Sequence, residues 1–377
     1  MTGGEMIEAA FSPEGSREFA VVIPYEDIFI RDHYGQLTVC PWWYGYAPDV
    51  ERKLQWYADA LRAIGQDWLM LPFCPTRQDR AKARLVEKED GPYLVDVATG
   101  KQRRLHLPRV SGSLTGSYSA ENVPRTIEEV EARLPIPRQT PPDEWLADGR
   151  GDLAAALLEG PASGLYPIAQ VLSPLWSCYD LWGFEELMIT ALTAPELLHC
   201  ACERLLAGAL NFARGARALG CRGIWIEDCM TDMMSPKVFG EINLPYVRAL
   251  VEGIRELGMH SIYYYCGNPM DRLEELVAAG ADALSLEESK KGFDVDVAEV
   301  CARVAGRCAV LGNLDPIGVL EKGSEGRLRS EIGRQIEAGR RNGGRFVMSL
   351  GSPVTPGTPV ERVRLYCDIA HELGRAG

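Results

Sequence analysis

The spacing of apolar positions changes twice along the chain. Before residue 75, the run Phe19-Ala20-Val21-Val22-Ile23-Pro24-Tyr25 predicts a strand. Leu54, Tyr57, Leu61 and Ile64 fall at helical spacing and predict a helix over residues 50–64 that stops at Gly65. Asp67 to Phe73 reads as a buried strand. Between 76 and 145 the apolar runs shorten to Arg84–Glu87, Tyr93–Val97 and Arg104–Leu107, separated by Glu89-Asp90-Gly91-Pro92 and Ala98-Thr99-Gly100. That pattern predicts an antiparallel ribbon. The Pro-rich run from Leu134 to Pro142 closes it as a linker.

From about residue 150 the rhythm is strand then helix, repeated. Strands are predicted at 164–171, 223–226, 261–266, 281–286, 308–311 and 345–350. Thr193-Ala194-Pro195-Glu196 reads as a capping box opening a long helix that Gly220 ends. Asn268 with Pro269 reads as the start of another helix, and Thr358-Pro359-Val360-Glu361 as the cap of the last. Six such units plus one or two before residue 75 imply parallel strands with right-handed crossovers. The expected fold is an α/β (β/α)8 TIM-type barrel, with a doubly wound sheet as the alternative. No Gly-x-Gly-x-x-Gly or Walker loop favours the latter. The expected organisation is a single domain over 1–377, with 1–65 an N-terminal aromatic-rich segment and helix and 76–145 an inserted ribbon and linker.

Composition adds limits. With 46% hydrophobic and 25% charged residues, a large core is available. The net charge of −13 argues against nucleic acid or an anionic membrane as partner. No stretch reaches the roughly 18 apolar residues of a span, and residues 1–19 lack an apolar signal region. The eleven cysteines have no framework spacing, which indicates reduced thiols and a cytoplasmic setting. Large α/β enzymes often dimerise, so a homodimer is a candidate assembly.

In a barrel of this kind the chemistry gathers at the C-terminal ends of the strands. There the sequence puts Glu227, Asp228, Cys229, Cys266, Glu287, Glu288, Asn313, Asp315 and Ser352. Acids and thiols without matching Lys or Arg must be protonated or bind a cation, and thiolate with carboxylate suits zinc. Each acid has an alternative reading as the cap of the following helix, and Cys266 as a packed thiol. Alternation places Tyr264 and Cys266 on one face of their strand and Tyr265 on the other. The Cys40-Pro41-Trp42-Trp43-Tyr44-Gly45-Tyr46 stretch does not fit a regular helix and reads as a pocket wall for a flat or apolar ligand, or as a plug for the core. His33 reads as a structural hydrogen-bonding residue, with a ligand or base as the alternative, and Lys290-Lys291 as a solvated loop.

Tyr264-Tyr265-Cys266-Gly267, Gly312-Asn313-Leu314-Asp315-Pro316, Gly351-Ser352-Pro353 with Thr355-Pro356 and Thr358-Pro359, and Glu227-Asp228 followed by Ser235-Pro236 and Leu244-Pro245-Tyr246 together resemble the uroporphyrinogen decarboxylase superfamily. The resemblance covers residues 160–375 well and the N-terminal part loosely. That superfamily includes zinc-dependent methyltransferases linked to a corrinoid (cobalamin) protein. Their His-x-Cys-Gly motif has Tyr264 at the His position, and Ser352 stands at the place of a later Cys. The decarboxylase branch needs an Arg-rich N-terminal segment, whereas Arg31 and Arg52 are isolated here.

The resemblance therefore implies a methyltransferase or O-demethylase that moves a methyl group between a small methylated substrate and a corrinoid protein. Cys266, Glu227 and Cys229 are the implied zinc ligands, and Tyr264 and Asp228 the implied catalytic residues. Tyr25, Trp42, Trp43, Trp176, Asn313 and Ser352 are the candidate substrate-binding residues. The alternatives are a metal-free decarboxylase or lyase on a non-porphyrin substrate, and a ligand-binding barrel without turnover.

Overall fold

The computed structural model describes residues 1–107, 123–290 and 292–375. Seven parallel strands form one curled sheet: β1 (Trp68–Met70), then, after the ribbon strands β2 (Ala83–Lys88), β3 (Gly91–Asp96) and β4 (Gln102–Arg104), β5 (Tyr166–Leu172), β6 (Gly223–Asp228), β7 (His260–Tyr265), β8 (Ala283–Leu286), β9 (Ala309–Leu311) and β10 (Phe346–Val347). Its order, β1-β5-β6-β7-β8-β9-β10, follows the chain, as a barrel requires.

The eighth position is filled by the first predicted strand, reduced to a few residues. Val22 N–H donates to Met348 O at 2.9 Å and Met348 N–H to Ala20 O at 2.8 Å. On the other side Asp67 N–H donates to Val21 O at 2.9 Å. The expected strand over 19–25 therefore exists as a bridge that joins β10 to β1 and closes the barrel. Val21 N–H donates to the Asp67 carboxylate at 2.7 Å rather than to a backbone partner, which explains why the pairing does not run on.

Alternation along each strand sorts the core into two layers. Trp68, Tyr166, Ile168, Trp225, Ile262, Tyr264, Ala283, Ala309, Leu311 and Val347 pack inside the barrel, and the helix Gly3–Phe11 plugs its N-terminal end with Met6, Ile7 and Phe11. Ile224, Ile226, Tyr263, Tyr265, Leu284 and Val310 face outward against the surrounding helices. Both layers are buried, so these strands read as continuous apolar runs.

The ribbon is antiparallel as expected, with β2 on β3 and β3 on β4, but β4 ends at Arg104. Short helices at Arg77–Ala81 and Ile127–Arg133 flank it. Three predicted caps differ. The Thr193 hydroxyl bonds back to Ile189 O at 2.8 Å, and the helix Pro195–Ala218 starts after Ala194 without a side-chain cap. Asn268 Oδ1 accepts from Met270 N–H at 3.1 Å and makes a turn, while the helix begins only at Leu273. The last helix, Val360–Arg375, has its first N–H taken by Gln36 from the helix Glu26–Leu37, at 3.1 Å. In all three a competing hydrogen-bond partner, local or remote, displaced the sequence-local cap.

Candidate functional site

Glu227 is the inward-facing residue at the end of β6, and it gathers the site. The Tyr25 hydroxyl donates to its Oε1 at 2.9 Å, the Gln170 amide donates to its Oε2, and the Cys229 thiol lies 3.5 Å from Oε1. Burial pushes the Glu227 carboxyl up, against the lowering effect of these three donors. Tyr25 sits in a left-handed conformation, φ 54°, just before the helix Glu26–Leu37. A tyrosine held there costs on the order of 1–3 kcal/mol, which surrounding contacts must offset.

Next along the mouth, the hydrogen-bonded neighbour Cys266 and burial both push the Cys229 thiol up. The Cys266 thiol in turn donates to Glu287 Oε1 at 3.1 Å. Lys290 turns inward: its ammonium lies 2.5 Å from Glu287 Oε1, 3.5 Å from Glu288 Oε1 and 2.7 Å from Ser352 Oγ. Burial opposes its charge, but the hydrogen bond and field of Glu287 outweigh it, so its pKa is raised. The expected solvated loop is thus a partly buried ion pair at Lys290, while Lys291 lies outside the described residues. No periodicity marks Lys290, and only the folding of the loop after β8 over the barrel mouth brings it in.

Tyr264 faces the lumen as alternation predicted. It is 1% exposed, donates to Gly351 O at 3.1 Å and lies 4.9 Å from the Trp225 ring. Burial, followed by Cys266 and Glu287, pushes its phenol well up, so it is a neutral donor.

Asp228 is elsewhere. The alternation that turns Glu227 inward turns Asp228 outward, behind the barrel wall. There it accepts from Tyr263 at 2.5 Å, Asn243 at 2.6 Å and Ser173 at 2.8 Å, and it is fully buried. It holds β5, β6, β7 and the following helix together and does not reach the lumen.

The aromatic segment folds as a 3-10 turn, Trp42–Tyr46. Trp42 and Tyr46 line a cavity of about 320 Å³ with Trp56, Tyr57, Glu26 and Gln170. Gln170 links that cavity directly to Glu227. Trp43 instead turns to the ribbon, its indole donating to Glu87 at 3.2 Å. Trp176 packs on Tyr179 at 5.0 Å and is not part of that lining. Asn313 is spent on the backbone, donating to Glu287 O at 3.1 Å and Val295 O at 2.9 Å. Ser352 meets Lys290. His33 is buried, its Nδ1 2.9 Å from Phe29 O.

Sequence reasoning missed Gln170, Glu26, Trp56, Tyr57 and Lys290. Gln170 was findable: it is the polar residue on the inward face of an otherwise apolar strand.

The three implied zinc ligands meet, but in a row. Glu227, Cys229, Cys266 and Glu287 each touch the next, and Lys290 already lies against the last. Among the described residues no three His, Cys, Asp or Glu side chains close around a point that could hold a metal ion. The donor types suit zinc, but their arrangement does not fit it.

A closed parallel barrel with acids, thiols and an aromatic cavity at its C-terminal mouth has the layout of a (β/α)8 enzyme. More specifically, the chain belongs to the uroporphyrinogen decarboxylase family, whose sequence model matches residues 156–373. It is 27% identical over 224 residues to the uroporphyrinogen decarboxylase of Desulfotalea psychrophila, covering 59% of this chain and 62% of that one. It is 28% identical to the chloroplastic uroporphyrinogen decarboxylase 2 of Arabidopsis thaliana, covering 51% and 46%. The chain thus spans about half to three fifths of the length of these relatives. In fold it is similar to a methyltransferase from Methanosarcina mazei, with a TM-score of 0.67, 18% identity and 99% of both chains covered. No described helix is long and apolar enough to cross a membrane.

Proposed function

We propose that this chain transfers a methyl group from a small methylated organic molecule to the corrinoid of a separate protein. The observation that carries this reading is Glu227: a buried carboxyl with a raised pKa, one hydrogen bond from the wall of an aromatic cavity. When a methyl–oxygen or methyl–nitrogen bond breaks, the carbon goes to the acceptor and the heteroatom keeps the electron pair. A leaving oxygen then needs a proton, which the Glu227 carboxyl, its pKa raised by burial, is placed to give, whereas an ammonium nitrogen leaves as a neutral amine and needs none. Tyr25 and Gln170 orient the carboxyl, and the aromatic walls exclude water from the reacting carbon. Tyr264 backs Tyr25 edge-on at 5.9 Å, its hydroxyl committed to Gly351 O. The corrinoid would supply the nucleophile. No step is assigned to zinc.

The cavity supports this over tetrapyrrole decarboxylation. Arg31 is the one cation in its described lining, and Asp32 already pairs with it at 2.8 Å. Eight substrate carboxylates would find no counter-charges there. The similar full-length fold that bears the name methyltransferase supports the same reading.

The test is incubation of the purified chain with methylated donors and a reduced corrinoid, following the absorption change on methylation. Methylation should appear with the wild type and, with methoxylated donors, fall at least about a hundredfold in Glu227→Gln, the usual scale for a lost acid. Release of carbon dioxide from carboxylated substrates, with no methylation from any donor, would replace this reading by the decarboxylase one.

A further inference from the structure

The sequence suggests a flat or apolar ligand for the aromatic segment, but the cavity it builds has different chemistry. We propose that this cavity binds a small methylated ammonium ion, its nitrogen held among Trp42, Tyr46, Trp56 and Tyr57 with Glu26 as counter-charge. The inference rests on the cavity being the substrate site of the reaction proposed above.

The walls argue first. Trp42 and Tyr46 meet at 5.8 Å with their planes at 82°, and Trp56 and Tyr57 at 5.2 Å and 81°. Rings set at right angles make corners rather than a parallel slot, so they suit a rounded ligand better than a stacked ring. The negative faces of aromatic rings attract a cation whose charge is spread over methyl groups, and such cages are a known way to hold quaternary ammonium. A cavity of about 320 Å³ is at the small end of ligand sites and has room for a trimethylammonium group with a short tail.

The charges argue second. Glu26 is 2% exposed, and its partners are neutral donors: the Gln66 amide and the Met70 N–H. Among the described residues no Lys, Arg or His forms an ion pair with it. The cavity's own cation, Arg31, is held by Asp32, whose side chain is 1% exposed. Asp27 adds a second carboxylate to the lining. Burial, with a smaller push from Asp27, raises Glu26 to about 8. An arriving cation would reverse that push, so Glu26 would release its proton on binding and affinity would grow with pH. The groups facing Glu26 are Asp27 and Arg31 on its own helix, Tyr57 from the helix Val50–Ile64, Gln66 from the following loop and the Met70 N–H from β1.

The experiment is a titration of the full chain, without corrinoid, by calorimetry and tryptophan fluorescence. The probes are choline, tetramethylammonium and 3,3-dimethylbutan-1-ol, the uncharged isostere of choline. Choline should bind at least about tenfold more tightly than the isostere, and more tightly near pH 9 than near pH 6. Trp42→Leu and Glu26→Gln, checked for native thermal unfolding, should each weaken choline about tenfold or more. Equal binding of choline and its isostere, or no binding of either cation, overturns the inference and needs no variant. Cation binding without any methyl transfer would leave the ligand class standing and remove the reaction. Methyl transfer from methoxylated donors without cation binding would do the reverse.

Discussion

Glu227 and Asp228 are adjacent carboxylates at the end of one strand, and the pleat gives them opposite roles. Glu227 points into the lumen beside Tyr25 and Gln170, while Asp228 points out into a shell of three hydroxyls and an amide. Asp228→Ala should therefore act on stability, because it strands the buried Tyr263, Ser173 and Asn243 donors. A loss of about 3 kcal/mol or more in urea unfolding is expected, against little change in turnover of the folded fraction. For Glu227 the pH profile carries the sign. A raised carboxyl pKa keeps the proton to higher pH, so turnover that needs the acid should fall as pH rises through that value. With methoxylated donors, Glu227→Gln should remove that limb along with most of the rate. Glu26 bears on the fold as well. Its carboxyl is raised from 4.5 to about 8, so the native state binds its proton more tightly than the unfolded state. The stability linked to it is complete below about 4.5 and is lost as pH rises through about 8. Urea midpoints of Glu26→Gln should fall less between those pH values than those of the wild type, by on the order of a few kcal/mol in unfolding free energy.

At the scale of elements, the site is made by the loops that follow β6, β7, β8 and β10 and press against one another. The close approach is set by glycine. A Cβ on Gly351 would lie 2.2 Å from Glu288 N, so the loop after β10 meets the loop after β8 only because that position has no side chain. Gly267, φ 113°, likewise leaves no room beside the Asp232 carboxyl, where a Cβ would lie 2.2 Å away. Gly351→Ala should push the Glu287–Lys290 loop off Ser352 and Tyr264, costing about 2 kcal/mol or more. Chemical shifts or crystal contacts of the Tyr264 ring, together with urea unfolding, would register it. An unchanged midpoint with unchanged Tyr264 signals would mean that the loop tolerates the shift. The same loops show why sequence-local caps misled. Thr193 and Asn268 have the right residue types, but a nearer carbonyl or N–H claimed each, and the cap of the last helix came from Gln36, more than three hundred residues away.

Across the whole molecule, residues 20–23 decide whether the sheet is a barrel or an open curl. They are the only described link between β10 and β1, through Val22 with Met348 on one side and Val21 with Asp67 on the other. Val22→Pro removes the N–H that reaches Met348 and should cost about 3 kcal/mol or more. Loss of cooperative unfolding, read by near-UV and far-UV circular dichroism together, is the expected result. A sharp two-state transition near the wild-type midpoint would show that closure does not depend on this bond.

The sequence by itself determined the strand and helix periods, the order of the parallel units, the ribbon excursion and the family. It also determined which residue of each strand pair faces inward, because a period of two is a local property of extended chain. That rule placed Tyr264 with Cys266 and, applied to β6, separates Glu227 from Asp228. What only the tertiary structure decided is which inward groups touch. The sequence could not show Lys290 meeting Glu287 across a loop, Gln170 joining the cavity to Glu227, or Glu26 buried without an ion-pair partner among the described residues. Those are contacts between segments far apart in the chain, and their energies depend on burial, which no local pattern encodes.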